Sequence, residues 1–174
     1  MLLSMCKTAS ILDYRPVVFL DGEGYVRVTA DNGRSIVAKA VRGPCKVVSR
    51  EVAFLLYPYY GWGRMEVAAE FQIEPVDPVR ATRVVMRVPF GISEVVVRRQ
   101  LEGYPIYEGS VALEYLEHIE FGEVVHVEPS QFSVLTPETK LRLVEVPVED
   151  SEIYSCAVSI YIIHRVEIMF FITF

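Results

Sequence analysis

The chain states one pattern twice. Arg15-Pro16-Val17-Val18-Phe19-Leu20 precedes Gly22-Glu23-Gly24 and then Tyr25-Val26-Arg27-Val28. Arg50-Glu51-Val52-Ala53-Phe54-Leu55 precedes Gly61-Trp62-Gly63 and then Arg64-Met65-Glu66-Val67. The offset is 35 residues in the first block and 39 at the glycines, so the second copy carries an insertion ahead of its turn. A repeat of this period marks a duplicated supersecondary unit, and two such units bury their apolar faces against each other.

Each copy reads as strand, short helix, glycine turn, strand. In the second copy Lys46-Val47-Val48 is the strand, and Ser49 is a helix-starting residue whose oxygen can accept an orphan backbone N–H. Arg50–Leu56 then make about two turns. In the first copy Ile11-Leu12 lead in and Asp13 is positioned to cap. Pro16 suits a first helical turn, where its missing N–H costs nothing. Tyr25–Thr29 and Arg64–Ala68 alternate as half-buried strands. Gly22-x-Gly24 and Gly61-x-Gly63 lack the third glycine of a dinucleotide loop, because Arg27 and Glu66 occupy that place, and so they read as turns.

Between the copies, Asp31-Asn32-Gly33 joins Tyr25–Thr29 to Ser35–Val41, and Asn-Gly is a strong hairpin signal. After Phe71-Gln72-Ile73, the two prolines of Glu74-Pro75-Val76-Asp77-Pro78 make a stiff connection and a domain boundary. The second half opens with strand Arg83–Val88. A helix from Ser93 to about Glu102 follows, with Gly103 where a left-handed cap is expected. Tyr104–Gly109 is turn-rich. Strands at Ser110–Leu116, His118–Glu128, Gln131–Leu135 and Lys140–Val146 imply a compact sheet or barrel, with Thr136–Thr139 as a turn.

With 174 residues, the chain can build its own core without a metal or disulfide staple. Three dispersed cysteines, Cys6, Cys45 and Cys156, give no disulfide framework and no C-x-x-C pair. Together with the lack of a signal-like N-terminus, they point to a reducing, cytoplasmic setting. One asparagine and three glutamines are consistent with a thermophilic source. Residues 1–76 carry 9 Lys/Arg against 8 Asp/Glu, and residues 77–174 carry 8 against 15. The acidic second half repels phosphate backbones, so nucleic acid is not expected as a partner.

From Cys156 to Phe174 the chain is mostly apolar. A membrane span needs about 20 residues nearly free of charge, and His164, Arg165 and Glu167 sit mid-stretch. Val166, Ile168, Phe170, Ile172 and Phe174 alternate with a mixed face. The pattern favours a docked or pairing strand, with self-association through it, over a membrane anchor or a disordered remnant.

No catalytic set is legible, and no metal or cofactor is expected. His118, His126 and His164 share no metal spacing. The first two would face the same way on one straight strand, about 27 Å apart. Glu114, Glu117, Glu120, Glu123 and Glu128 read as a solvated acidic face. Tyr59, Tyr60 and Trp62 form a candidate aromatic contact patch.

The duplicated unit, Pro-rich linker and smaller β lobe resemble the N-terminal domain of the valosin-containing-protein family of AAA ATPases, its archaeal members most closely. The resemblance covers roughly residues 10–146. It rests on Ser35-Ile36-Val37-Ala38-Lys39 as the hairpin strand and on Val76–Val84 as the lobe-joining linker. It rests also on Val97–Ile106 with Gly109 as the family's helix and Gly-Arg-Pro-Val turn, and on Val134–Thr139 as its late turn. Tyr104 stands for the family's arginine and Ser110 for its aspartate, and Met1–Ser10 is short for a first barrel strand. No Gly-x-x-x-x-Gly-Lys loop is present to cradle phosphates.

The resemblance implies a mainly β (α+β) fold: a double-psi β-barrel lobe over 1–76 (repeats 11–41 and 46–73) and a linker over 77–82. A β-clam-like lobe would span 83–148, with an apolar tail over 149–174. It implies a non-enzymatic protein-recognition module that binds unfolded polypeptides or adaptor proteins in an inter-lobe groove, in a chaperone-like role or with an AAA unfoldase in trans. The groove residues would be Asp77, Arg80, Arg83, Tyr104 and Tyr107. The alternative is a swapped-hairpin barrel that binds DNA as a dimer through Arg15, Arg27, Arg34, Lys39, Arg42, Lys46 and Arg50.

Overall fold

The computed structural model describes residues 11–43, 46–58 and 71–146. Among the described residues, three sheets and two short helices make a mainly β structure. A 3-10 turn, Ile11–Tyr14, leads into β1 (Val17–Leu20), β2 (Gly24–Thr29), β3 (Ser35–Arg42), β4 (Val47–Val48), α1 (Arg50–Leu56) and β5 (Gln72–Pro75). The second half holds β6 (Arg83–Pro89), α2 (Glu94–Leu101), β7 (Pro105–Ile106), β8 (Gly109–Tyr115), β9 (His118–Glu128), β10 (Ser133–Val134) and β11 (Lys140–Val146). The strands order as β4-β1-β3-β2-β5 in one sheet, β11-β6-β9-β8 in a second, and β10-β7 in a small third.

The hairpin at Asp31-Asn32-Gly33 forms as expected. Thr29 pairs with Ser35, and Gly33 takes the positive φ of 79° that the turn requires. Ser49 caps α1 by accepting from the Val52 N–H at 3.2 Å. α2 ends before Gly103, whose φ is 78°. β9 and β11 have the expected limits.

The first copy of the repeat departs from expectation. Ile11–Tyr14 is a 3-10 turn rather than a lead-in strand, and Val17–Leu20 is a strand rather than a helix. β1 runs parallel to β3 and antiparallel to β4, so its backbone is hydrogen-bonded on both sides. It is buried on both faces too. Val18 enters the core of the first sheet with Val26, Val28, Ile36 and Leu56. Val17 and Phe19 pack on the other side with Val47, Leu12, Val41 and Tyr104. A strand buried on both faces needs an unbroken apolar run, and Val-Val-Phe-Leu supplies one.

The second sheet has its own core of Val84, Met86, Val88, Val97, Leu101, Leu113 and Val124. β6 pairs in parallel with β11 and antiparallel with β9. The β6–β9 register slips between Val85 and Met86. The resulting bulge breaks the alternation, so Val124 and Val127, three apart, are both buried. The same slip corrects the expectation that His118 and His126 share a face. Gln131–Leu135, expected as one strand, holds only Ser133–Val134 in β10, and the turn-rich stretch contributes the short strand β7.

The strand Arg64–Ala68, the first-strand candidate Met1–Ser10 and the apolar tail lie outside the described residues. Among the described residues no helix is long and apolar enough to cross a membrane.

Candidate binding cleft beside the β8–β9 hairpin

The two copies of the repeat meet at one hydroxyl. Ser49 Oγ accepts from the N–H groups of Val52 (3.2 Å) and Val17 (3.3 Å) and donates to the Arg15 carbonyl at 2.6 Å. The Ser49 N–H donates in turn to the Val17 carbonyl at 2.9 Å. The helix cap and the entry to β1 are therefore one network, and it holds Arg15 and Glu51 in the interior.

Arg15 is only 2% exposed. Its Nη1 donates to the Tyr14 carbonyl at 3.0 Å and, across the molecule, to the Ala112 carbonyl on β8 at 2.7 Å. Its Nε and Nη2 have no hydrogen-bond partner. Burial lowers its pKa to about 10, against the opposing influence of Tyr104 and Glu51. Arg15 thus remains a cation near neutrality. Glu51, also 2% exposed, is pushed up to about 8 by burial, which Arg15 only partly offsets. A carboxyl in this setting carries a proton at neutral pH.

Beside this pair a cleft of about 510 Å³ opens. One wall comes from the 3-10 turn and the start of α1: Ile11, Asp13, Tyr14 and Arg50. The other comes from the β8–β9 hairpin: Glu114, Glu117, His118 and Ile119. The hairpin tip turns through Leu116 (φ 49°) and Glu117 (φ 67°). Tyr14 meets Phe121 of β9 edge-on, with ring centroids 6.3 Å apart. Asp13 is 4% exposed, and its Oδ1 has no hydrogen-bond partner. Burial raises its pKa, while Arg50 draws it down. The Nε of Arg50 is likewise buried without a partner.

The edge strand β8 is tied down beside the cleft. The Gln100 side chain donates to the Glu114 carbonyl and accepts from the Glu114 N–H, both at 2.7 Å. With Arg15 on Ala112, two side chains occupy outward-facing backbone groups that an edge strand otherwise offers to another chain.

The residues singled out from sequence lie elsewhere. Asp77 is exposed on the connection after β5, and Arg80 bridges to Val134. Arg83 pairs with Glu128 at 3.6 Å. Tyr104 lies under the Lys39 ammonium, 4.5 Å from its ring centroid, and packs on the Val17–Phe19 cluster. Tyr107 stacks on Phe132 with centroids 5.8 Å apart. None of the five is among the residues lining the cleft. Tyr59, Tyr60 and Trp62 fall outside the described residues.

Asp13 is buried at the cleft with Oδ1 unpartnered rather than capping a helix, and Glu114 and Glu117 line the opposite wall rather than only a solvated face. Their convergence has no sequence signal, because Glu114 and Glu117 lie outside both copies of the repeat. Among the described residues, no group of three His, Cys, Asp or Glu is placed to hold a metal ion. His126 instead lies 3.1 Å from Glu108 and 3.4 Å from Glu128. No protein-family model matches the sequence, and no curated protein matches it either.

Proposed function

We propose that this chain is a protein-recognition module, binding polypeptide segments of unfolded or adaptor proteins. The finer architecture in this reading is a double-psi β-barrel lobe followed by a β-clam-like lobe, as in the N-terminal domain of valosin-containing-protein-like AAA ATPases. The parallel β1–β3 pairing and the second sheet with its own core support that comparison. An AAA ATPase acting in trans is the matching partner, and the cytoplasm the matching compartment.

The observation that carries the reading is the cleft itself. One wall comes from the 3-10 turn and the start of α1 and the other from the β8–β9 hairpin, and the cleft mixes apolar surface with charged groups. That composition suits side chains of a bound polypeptide, which present both kinds of surface. Exposed Leu116, Val95 and Phe90 add apolar contact area on the second half.

The test uses the full chain and a permanently unfolded client protein whose aggregation is followed by light scattering. Near-stoichiometric addition suppresses aggregation, and cross-links from the client map to the cleft walls. A client that aggregates unchanged, with no cross-links to the chain, overturns the proposal.

A further inference from the structure

We infer that the cleft between the 3-10 turn and the β8–β9 hairpin receives the charged head of a lysine or arginine side chain on the partner polypeptide. This rests on the protein-recognition reading and specifies the chemistry of what is recognised.

Three carboxyl groups, from Asp13, Glu114 and Glu117, face the cleft against one guanidinium, from Arg50, and the imidazole of His118. A row of acids on a surface is ordinarily just solvated. Asp13 differs, being 4% exposed with Oδ1 lacking any hydrogen-bond partner. A buried polar atom without a partner is destabilising, and more so if charged. A donor arriving from a ligand would satisfy it.

The walls select the kind of donor. Ile11, Tyr14 and Ile119 line the same cleft. A basic side chain lays its methylene stem along apolar surface while its head finds carboxylates. A guanidinium or ammonium brings several N–H donors, enough for Asp13 and a second carboxylate together. An acidic side chain would meet three carboxyl groups and an acidic half-molecule. Arg50 on the same wall repels a cation, so removing its charge favours one.

The test is a two-dimensional amide NMR titration of the full chain with three probes: acetyl-Gly-Arg-Gly-amide, acetyl-Gly-Glu-Gly-amide and spermidine. The arginine peptide should give saturable shifts at Asp13, Arg50, Glu117 and Ile119, and the glutamate peptide none. Asp13→Asn and Glu117→Lys should each weaken the arginine peptide by about tenfold or more, and Arg50→Gln should tighten it. Glu117→Lys alters an exposed turn, so it keeps the test open if Asp13→Asn fails to fold.

Equal binding of the glutamate peptide, shifts mapping away from the cleft, or no effect of Glu117→Lys overturns the inference. Spermidine saturating the cleft at lower concentration than the peptide overturns a polypeptide source for the cation. A permanently unfolded client separates the two levels. A client that binds with equal affinity to wild type and Glu117→Lys sinks the cleft chemistry alone. A client that does not bind at all sinks the protein-recognition reading.

Discussion

Arg15–Leu20 and Arg50–Leu55 are nearly the same words with different structures. The first ends in a strand buried on both faces, and the second is a helix. Both begin with arginine and end in Phe-Leu. The differences sit in the middle. Pro16-Val17-Val18 places two β-branched residues together and disfavours helical backbone at Arg15. Glu51-Val52-Ala53 has one β-branched residue between good helix formers, behind a serine cap. Neighbours complete the choice. β1 lies between β3 and β4, with a backbone partner on each side, whereas the second copy packs Val52, Ala53 and Leu56 on the first core from one face. A duplicated sequence thus yields two elements that share a hydroxyl, Ser49 Oγ, rather than two copies of one element.

The matched arginines give the sharpest way to break the comparison. Arg15 is buried and hydrogen-bonded to the Ala112 carbonyl, while Arg50 is half-buried at the cleft. Arg15→Ala should cost about 3 kcal/mol or more, because it leaves a cavity and strips two carbonyls of a charged donor. Arg50→Ala should stay within about 1 kcal/mol. Chemical denaturation of the two variants checks this. Equal losses would mean that the two positions are equivalent after all.

Glu51 provides the next largest effect. Its pKa is about 8 in the folded chain against 4.5 for the free group. A raised carboxyl pKa means that the folded state holds the extra proton. Its contribution is fully present below 4.5 and is lost as pH climbs toward 8. Glu51→Gln mimics the protonated form and does not titrate. Its stability relative to wild type should therefore grow across that window, by on the order of a few kcal/mol. Thermal melts from pH 5 to pH 8 read the difference, and parallel profiles for both proteins would show that Glu51 is ionised when buried.

Ser49→Ala removes the oxygen that joins the copies. The loss should be about 1–2 kcal/mol, the range for a helix cap with further hydrogen bonds. Amide exchange should quicken at Val17 and Val52 together. Quickening at Val52 alone would separate the cap from the strand.

The smallest effect tests the cause of the divergence. Pro16→Ala should change stability by only about 1 kcal/mol or less and leave Val17–Leu20 extended, because two flanking strands hold it. Backbone carbon chemical shifts report the conformation. Helical shifts over that stretch would show that Pro16, and not the sheet, decides.

The legible parts of the fold are those whose cause lies within a few residues. Asn32-Gly33 needs only its own dihedral preferences to make a turn. Ser49 needs only the N–H three residues on, and Gly103 only the helix before it. Parallel pairing of β1 with β3 and of β6 with β11 has no such local signature, since the partners are brought together by the rest of the chain. The bulge opposite Val85 was equally invisible, and it undid a face assignment for His118 and His126 that perfect alternation would have given. The cleft was illegible for the same reason. Its two walls lie about a hundred residues apart in sequence, and a carboxylate such as Glu114 reads as surface until a buried Asp13 is set opposite it.

The amino-acid sequence by itself determined that the chain is β-rich, that it contains a duplicated unit, and where the Asn32-Gly33 turn, the Ser49 cap and the second helix fall, because those follow from short-range backbone preference and apolar spacing. Only the tertiary structure decided that the first copy becomes a strand, that Arg15 and Glu51 go inside, and that Asp13 faces a cleft. Those outcomes depend on burial and on which distant backbone groups are left to pair, and neither quantity exists until the two sheets have formed.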